Sequence, residues 1–580
     1  MTHRRRCGVA IVIAIGVVMM GGAGGRAWAQ AGAASATGPL AVFDSLAARY
    51  QAFAANPHLR RENLAGAARN LMALATRWNA IGPQLAQLIA SRAAIDFGPT
   101  WLAGDAVEGM AEIFLAGPRP ISNVTLGATR FTGFTQNETA GAWCGANVAV
   151  AFNDTGSEIR TLLGSGGVSA VGFSTSSNRG GAFGYQGPPA PPANSWQALI
   201  GDPSLACADA DNFYFSSVWY DSLNNQTGIS LAHSTDGGRT FPAPSPAILK
   251  SSLTDIIGQD KLALDHADPA LLYLVYADTD FSGAICGTYG NSQPIPRYGI
   301  ELVASTDGGV NWSAPPRVVD QVCADQNNPY AMDAWPQVTV GPSGEVYVAW
   351  ESMGVNGDPT ARAIEIVRST DNAASFGAPV VAGSVVAIGD GADLQGFIRA
   401  NEAPALAVGR GKKNAGVVYL AWSNASFTVQ DALSTTGLYG LSDVMFAQST
   451  SGGASWSSAI RVNNNPEGGR YPFTDQFEPA INTDKTGRIG ICFYDRRRDP
   501  NNFLIDRYCA SSTNGGKSFA NIKVTPVNFP AVVGQDAMVA PDYMGEYDTV
   551  AIDGTGAAAG FVDSYASNAF GNPNVLAHHF

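Results

Sequence analysis

The chain has 580 residues, 46% hydrophobic and only 14% charged, with 66 glycines and a formal charge of −13. The glycine load fits a fold rich in turns rather than one built from long helices. So acidic a chain lacks the clustered lysine and arginine that phosphate binding requires, which argues against nucleic acid as a partner.

In chain order, residues 1–29 read as a secretory signal. Arg4, Arg5 and Arg6 precede an apolar core from Val9 to Met20, and Ala27-Trp28-Ala29 supplies a cleavage site after Ala29. That core is too short for a comfortable membrane span, and no later stretch is apolar for long enough to make one. A secreted or periplasmic protein with no membrane span is therefore expected. Cleavage removes four arginines and no acid, taking the formal charge from −13 to −17. Residues 30–39 read as a flexible tail. Residues 40–117 read as an α-helical segment, with Leu64, Ala68, Leu71, Ala75 and Trp78 at helical spacing and Gly82-Pro83 as a break.

Residues 118–580 change to a β texture, and one phrase, Ser-x-Asp-x-Gly-x-x-Phe/Trp, recurs six times. Its copies start at Ser176, Ser234, Ser305, Ser369, Ser449 and Ser512, in steps of 58, 71, 64, 80 and 63 residues. A repeat of this period marks a modular architecture. The Asp or Asn accepts bonds from the backbone that follows it, the second Gly suits positive φ, and the aromatic anchors the turn. Each copy lies between the third and fourth of four short strands, the pattern of a propeller blade. First strands start near Glu138, Asp202, Asp260, Trp335, Glu402, Glu478 and Glu546, one more than the count of turns. The last unit lacks a fourth strand, and the strand-like stretch 119–128 lacks a unit. Placing that stretch as the outer edge of the last blade closes a seven-bladed ring and removes exposed edges. A six-bladed ring is the alternative.

Six cysteines remain after signal cleavage, an even number that suggests disulfides in an exported protein. Cys492 and Cys509 lie on consecutive strands of one unit, and Cys144 and Cys207 hold like places in neighbouring units. Cys286 and Cys323 would remain. This is one of several connectivities, and buried free thiols are the other reading. No C-x-x-C or His/Cys cluster points to zinc. No cofactor is expected, with Ca²⁺ the candidate for a structural ion.

The six phrases resemble the Asp-box, or bacterial neuraminidase repeat, of sialidase-like β-propellers. STDGGRTF and STDGGVNW match best, and STSGGASW departs with Ser451 in place of Asp. The resemblance implies a propeller whose boxes face outward as scaffold, and a carbohydrate or glycoconjugate as ligand. It does not bring the family's full catalytic set, because the early Arg-Ile-Pro motif has only a loose echo in Gly117-Pro118-Arg119-Pro120.

Chemistry is then expected where the first strands converge. Carboxylates from several blades can provide an acid/base pair for glycoside cleavage, and their crowding raises some pKa values. The candidates for catalysis are Asp260, Glu402, Glu478, Tyr543 and Glu546, with Tyr543 and Glu546 echoing a Tyr–Glu pair. Lys261, Trp335, Asp475 and Arg496 are the candidates for substrate binding, with no metal ligand among them. The leaders Glu138, Asp202, Asp333 and Asp542 complete the polar ring, and Arg399 and Arg470 are further arginines near inner strands. The function expected is a glycan-acting exported propeller, a glycoside hydrolase by one reading and a non-catalytic binder of glycan or protein by the other.

Overall fold

The structure is a computed structural model that describes residues 41–54, 119–120, 135–162, 166–290, 292–355, 358, 361–389, 393–396, 398–430, 438–466, 472–530, 539–540, 543–568 and 574–580. The expected signal, the flexible tail, most of the helical segment, Arg470 and Asp542 lie outside the described residues. Among those described, Ala41–Ala54 is a helix, and its Ser45 hydroxyl meets the Tyr220 hydroxyl at 3.0 Å.

Seven antiparallel sheets of four core strands form a seven-bladed β-propeller. The innermost strands are Gln136–Cys144, Ser204–Cys207, Asp255–Leu264, Met332–Val340, Ala405–Val408, Gln476–Thr483 and Thr549–Ala551. Blade 7 is completed by Val562–Ser567, Asn574–His579 and, at its outer edge, the N-terminal strand Arg119–Pro120, paired through Arg119 with Ala577 and Pro120 with Leu576. The chain thus enters the ring in its last blade, as the missing fourth strand implies. Blade 7 also meets both neighbours: Thr549 Oγ1 donates to the Thr139 carbonyl of blade 1 at 2.7 Å, and Asn482 of blade 6 donates to the Val550 carbonyl at 3.0 Å.

Burial follows from strand position. The second strand of blade 2, Phe213–Asp221, is buried at every residue, whereas its fourth strand, Ser245–Ser251, has only exposed and half-buried residues. Apolar faces of neighbouring blades interleave between the sheets; Tyr273, Val275, Ile300 and Leu302 of blade 3 pack on Val346, Val348 and Trp350 of blade 4.

The repeated phrases make stapled turns. Ser234 Oγ donates to Asp236 Oδ1 at 2.7 Å and accepts from the Gly238 amide at 3.1 Å, while Asp236 Oδ1 accepts from the Thr240 amide at 3.0 Å. Gly238 has φ +76°, and Phe241 is buried against Phe173 and Phe215. Where Ser451 replaces Asp, its hydroxyl takes over, accepting from the Ser455 amide at 2.9 Å. In the fourth copy Asn372 and Ala373 hold the positive-φ places. Because strands alternate direction within a blade, these third-to-fourth turns lie on the face opposite the starts of the first strands.

Three disulfides join Cys144 to Cys207, Cys286 to Cys323 and Cys492 to Cys509. The first ties the inner strands of blades 1 and 2, and the last joins residues directly opposite in one blade. Three such bonds fit an oxidising compartment, extracellular or periplasmic. Among the described residues no helix is long and apolar enough to cross a membrane.

Candidate functional site

Four of the seven inner strands share an irregularity at their starts. Pairing with the second strand slips between Asn137 and Ala140, between Gly258 and Lys261, between Ala334 and Gln337, and between Phe477 and Ala480. A non-glycine residue with positive φ sits in each slip: Glu138 (54°), Gln259 (59°), Trp335 (52°) and Glu478 (51°). Asp202, just before the inner strand of blade 2, has φ 52°. The left-handed region is unfavourable for such side chains, and bulges of this kind re-aim side chains next to functional sites. Such strain persists only where the surroundings over-determine it.

A belt of hydrogen bonds does so here. Asn153 of blade 1 donates to Glu138 Oε2 at 2.7 Å and to the Tyr543 hydroxyl at 3.0 Å, and its own oxygen accepts from the Asp202 amide at 3.1 Å. Asp202 Oδ2 accepts from the Gln259 amide at 2.7 Å, and Gln259 Oε1 accepts from the Trp335 amide at 2.7 Å. Each side chain thus holds the strained amide of the next blade. In blade 6 the Glu478 amide donates to Ser423 Oγ at 3.1 Å.

Charge concentrates inside this belt. Ser216 donates to Asp260 Oδ2 at 2.5 Å. Arg399 meets Glu546 at 2.8 Å and lies 4.6 Å from the centre of the Tyr543 ring. Lys261 Nζ sits 3.3 Å from the centre of the Tyr547 ring, a cation–π contact. Burial, reinforced by Asp202 and Glu546, pushes the Glu138 carboxyl well above the usual carboxylate range. Burial, then Asp548 and Glu546, does the same to Glu478. Burial raises Asp260 to about 8 and Asp548 to about 7, and lowers the Lys261 ammonium. Tyr543 is pushed up by burial and by Glu138, which keeps it a neutral phenol. Below the leaders the channel, about 260 Å³, is bounded by all seven inner strands, with Gln337, Thr339 and Asn482 on its wall beside Leu205, Leu262, Val338 and Ile481.

Of the residues expected from sequence, Asp260, Lys261, Glu478, Tyr543 and Glu546 fall in this one cluster, and Trp335 belongs to the belt and the channel wall. Glu402 stands apart: Arg362 meets it at 3.3 Å and the Ile388 amide donates to it at 2.7 Å. Asp475 and Arg496 form a buried ion pair at 3.4 Å, and Asp475 also accepts from Tyr439 at 2.7 Å and Asn502 at 2.6 Å. Glu138 and Asp202, read from sequence only as members of the polar ring, are central. Asn153, Gln259 and Tyr547 carry no charge and no motif, and sequence reasoning passed over them. An acidic or aromatic residue followed by Pro (Asp202-Pro203, Trp335-Pro336, Glu478-Pro479) is the signal that marks three of the positive-φ leaders.

Arg507 forms a second, closed group, donating to both oxygens of Asp563 at 2.7 and 3.1 Å and to Asp548 at 3.0 Å. Cys492, Cys509 and Asp563 bring three potential ligand atoms within 4.8 Å of one another. The two sulfurs are joined in a disulfide and Asp563 is held by Arg507, so this grouping offers no metal site.

No family model matches the chain, and no curated protein matches it. Solved structures do. The Hadza microbial sialidase Hz136 is 12% identical, with 70% of this chain and 73% of that one covered and a TM-score of 0.38. The α-L-arabinofuranosidase Arb93A of Fusarium graminearum is 13% identical over 68% of this chain and 97% of its own, with a TM-score of 0.43. An ulvan lyase of polysaccharide lyase family PL25 is 11% identical over 80% and 93%, with a TM-score of 0.44. Each is a likeness in the arrangement of strands.

Proposed function

We propose that this chain is an exported glycan-acting propeller, and specifically a glycoside hydrolase whose chemistry sits at the leader end of the channel. The observation that carries the reading is the belt of bulged, positive-φ leaders that gathers carboxylates from blades 1, 2, 3, 6 and 7 around one buried point. In this reading Glu138, whose carboxyl burial favours in the protonated form, delivers its proton to the glycosidic oxygen as the sugar C–O bond breaks. Glu546, facing Arg399, is the second carboxylate and accepts a proton from the water whose oxygen bonds to the anomeric carbon. Tyr543 donates a hydrogen bond, and Lys261, Asp260 and Glu478 meet sugar hydroxyls. Glu402 and the Asp475–Arg496 pair serve as wall supports.

A sialidase-type site is disfavoured because it needs three arginines around one carboxylate. Among the described residues Arg399 borders the cluster, while Arg496 faces Asp475 and Arg507 is held by Asp563 and Asp548. One observation favours the second reading, a non-catalytic binder: Glu138 is 0% and Tyr543 3% exposed, so a substrate must reach a closed cluster.

The test is a panel of aryl glycosides and polysaccharides with wild type, Glu138→Gln and Glu546→Gln. Loss of turnover by about 10²-fold or more in each variant is expected, the usual size of a general acid or base contribution. Turnover that survives both substitutions would remove these residues from the chemistry. Absence of turnover on every substrate, with glycan binding retained, would establish the binder instead.

A further inference from the structure

Blade 5 departs from its neighbours in a way the central site does not explain. Its second and third strands, Val418–Gln430 and Leu438–Ser449, are 13 and 12 residues long, against 8 and 8 in blade 4 and 7 and 9 in blade 6. Pairing shifts register between Ala425 and Phe427 and then continues to Gln430 opposite Leu438. The extension rises on the face where the first strands start, because the second strand ends there. It forms one wall of a cleft of about 800 Å³, and blade 6 forms the other. That volume lies within the ~300–1,000 Å³ range of small-molecule sites.

The cleft has a built floor and unusual walls. Tyr439 and Asn502, both lining it, donate to the same oxygen of buried Asp475. The walls carry Phe473 and Phe503, 36% and 44% exposed, and Phe427 stacks on Phe473 at 4.8 Å with rings 9° from parallel. Gln395, Gln430 and Asn501 also line the cleft, and none of the described lining residues is ionisable at neutral pH. Large exposed aromatic faces mark interaction sites rather than ordinary surface. Flat rings beside uncharged donors and acceptors suit a ligand with apolar C–H faces and many hydroxyls. Among the described lining residues an anionic or cationic partner finds no charged complement.

We infer that this cleft is a second carbohydrate subsite, which takes neutral sugar units of a chain whose other end reaches the channel mouth. The inference rests on the glycan reading above and narrows its substrate class to neutral oligo- or polysaccharides. The test is calorimetric titration of the full chain with xylo-, manno- and arabino-oligosaccharides from disaccharide to hexasaccharide, with oligogalacturonate as the anionic comparison. Affinity for one neutral series should rise with chain length and exceed that for oligogalacturonate. Phe473→Ala and Phe503→Ala should each weaken hexasaccharide binding about tenfold, as loss of a buried aromatic anchor does, while the cooperative melt is retained. Wild-type affinity in both variants overturns the proposal even if Glu138→Gln abolishes turnover. Its loss in both, with no turnover on any substrate, keeps the subsite and overturns the hydrolase. Failure of every oligosaccharide to bind, or a dimer in sedimentation that the same substitutions dissociate, overturns the subsite.

Discussion

The strained leaders predict an inversion of the usual order between glycine and alanine. In an ordinary strand glycine is worse than alanine by about 0.5–1 kcal/mol. At Glu478, with φ 51°, the native backbone is left-handed, which costs an alanine about 1–2 kcal/mol that glycine escapes. Glycine's greater freedom in the unfolded chain returns about 0.4–1 kcal/mol of that difference. Both substitutions remove the buried carboxyl and leave nearly the same cavity, so those contributions cancel in the comparison. Glu478→Gly should therefore exceed Glu478→Ala in stability by roughly 0.5–1 kcal/mol. The same sign should appear at Glu138, Asp202, Gln259 and Trp335, whose φ values lie between 52° and 59°. The assay is equilibrium denaturant unfolding of ten variants, two per position, comparing midpoints at equal slope. Alanine more stable than glycine at most positions would refute the claim that these backbones are held against their preference.

Two further outcomes follow from the charged groups. Arg507→Met should destabilise by about 3–5 kcal/mol, because it leaves two buried carboxylates, Asp563 and Asp548, without their cation; chemical unfolding checks it, and a loss below about 1 kcal/mol would mean the site rehydrates. Asp260, raised to about 8 by burial, has a folded pKa above its unfolded one. Its contribution is fully present below about pH 4 and is lost as pH rises towards 8, so Asp260→Asn should gain stability relative to wild type between pH 5 and pH 8, with a flat difference overturning the assignment.

How much of this was legible depended on how local the determinants are. The stapled turn is a contact among residues at most four apart, as in Ser234 to Gly238 and Asp236 to Thr240, so its sequence predicts its geometry. Blade count and ring closure followed from counting such local units and noticing one unit without a fourth strand. Two of the disulfides, Cys144–Cys207 and Cys492–Cys509, fell on like places of neighbouring blades or strands for the same reason, whereas Cys286 lies in a turn and meets Cys323 at the end of a fourth strand. The site was legible only as a set of positions. Glu402 has the leader pattern, yet the inner strand of blade 5 starts later, at Ala405, and Arg362 draws the carboxylate away. Asp475 and Arg496 look available in sequence because 21 residues separate them, and the blade brings them together. Gln259 and Asn153 do their work through amides, which a search for charge does not see.

The belt also sorts the leaders by what remains for a ligand. Asp202 Oδ2 and Gln259 Oε1 are each committed to a neighbouring amide, and exchanging either side chain would release a strained backbone. Glu138 Oε1, Asp260 Oδ1 and Glu478 Oε1 are buried and have no hydrogen-bond partner among the described residues. Buried carboxylate oxygens are rarely left so, and burial, with neighbouring carboxylates, raises the pKa of all three residues. A ligand that presents several donors to one point would relieve all three at once, as a sugar ring with adjacent hydroxyls does. Specificity would then follow from which hydroxyls reach which oxygen. A deoxy sugar lacking one of those hydroxyls should lose binding most sharply in wild type and least in the variant whose carboxylate had met that hydroxyl.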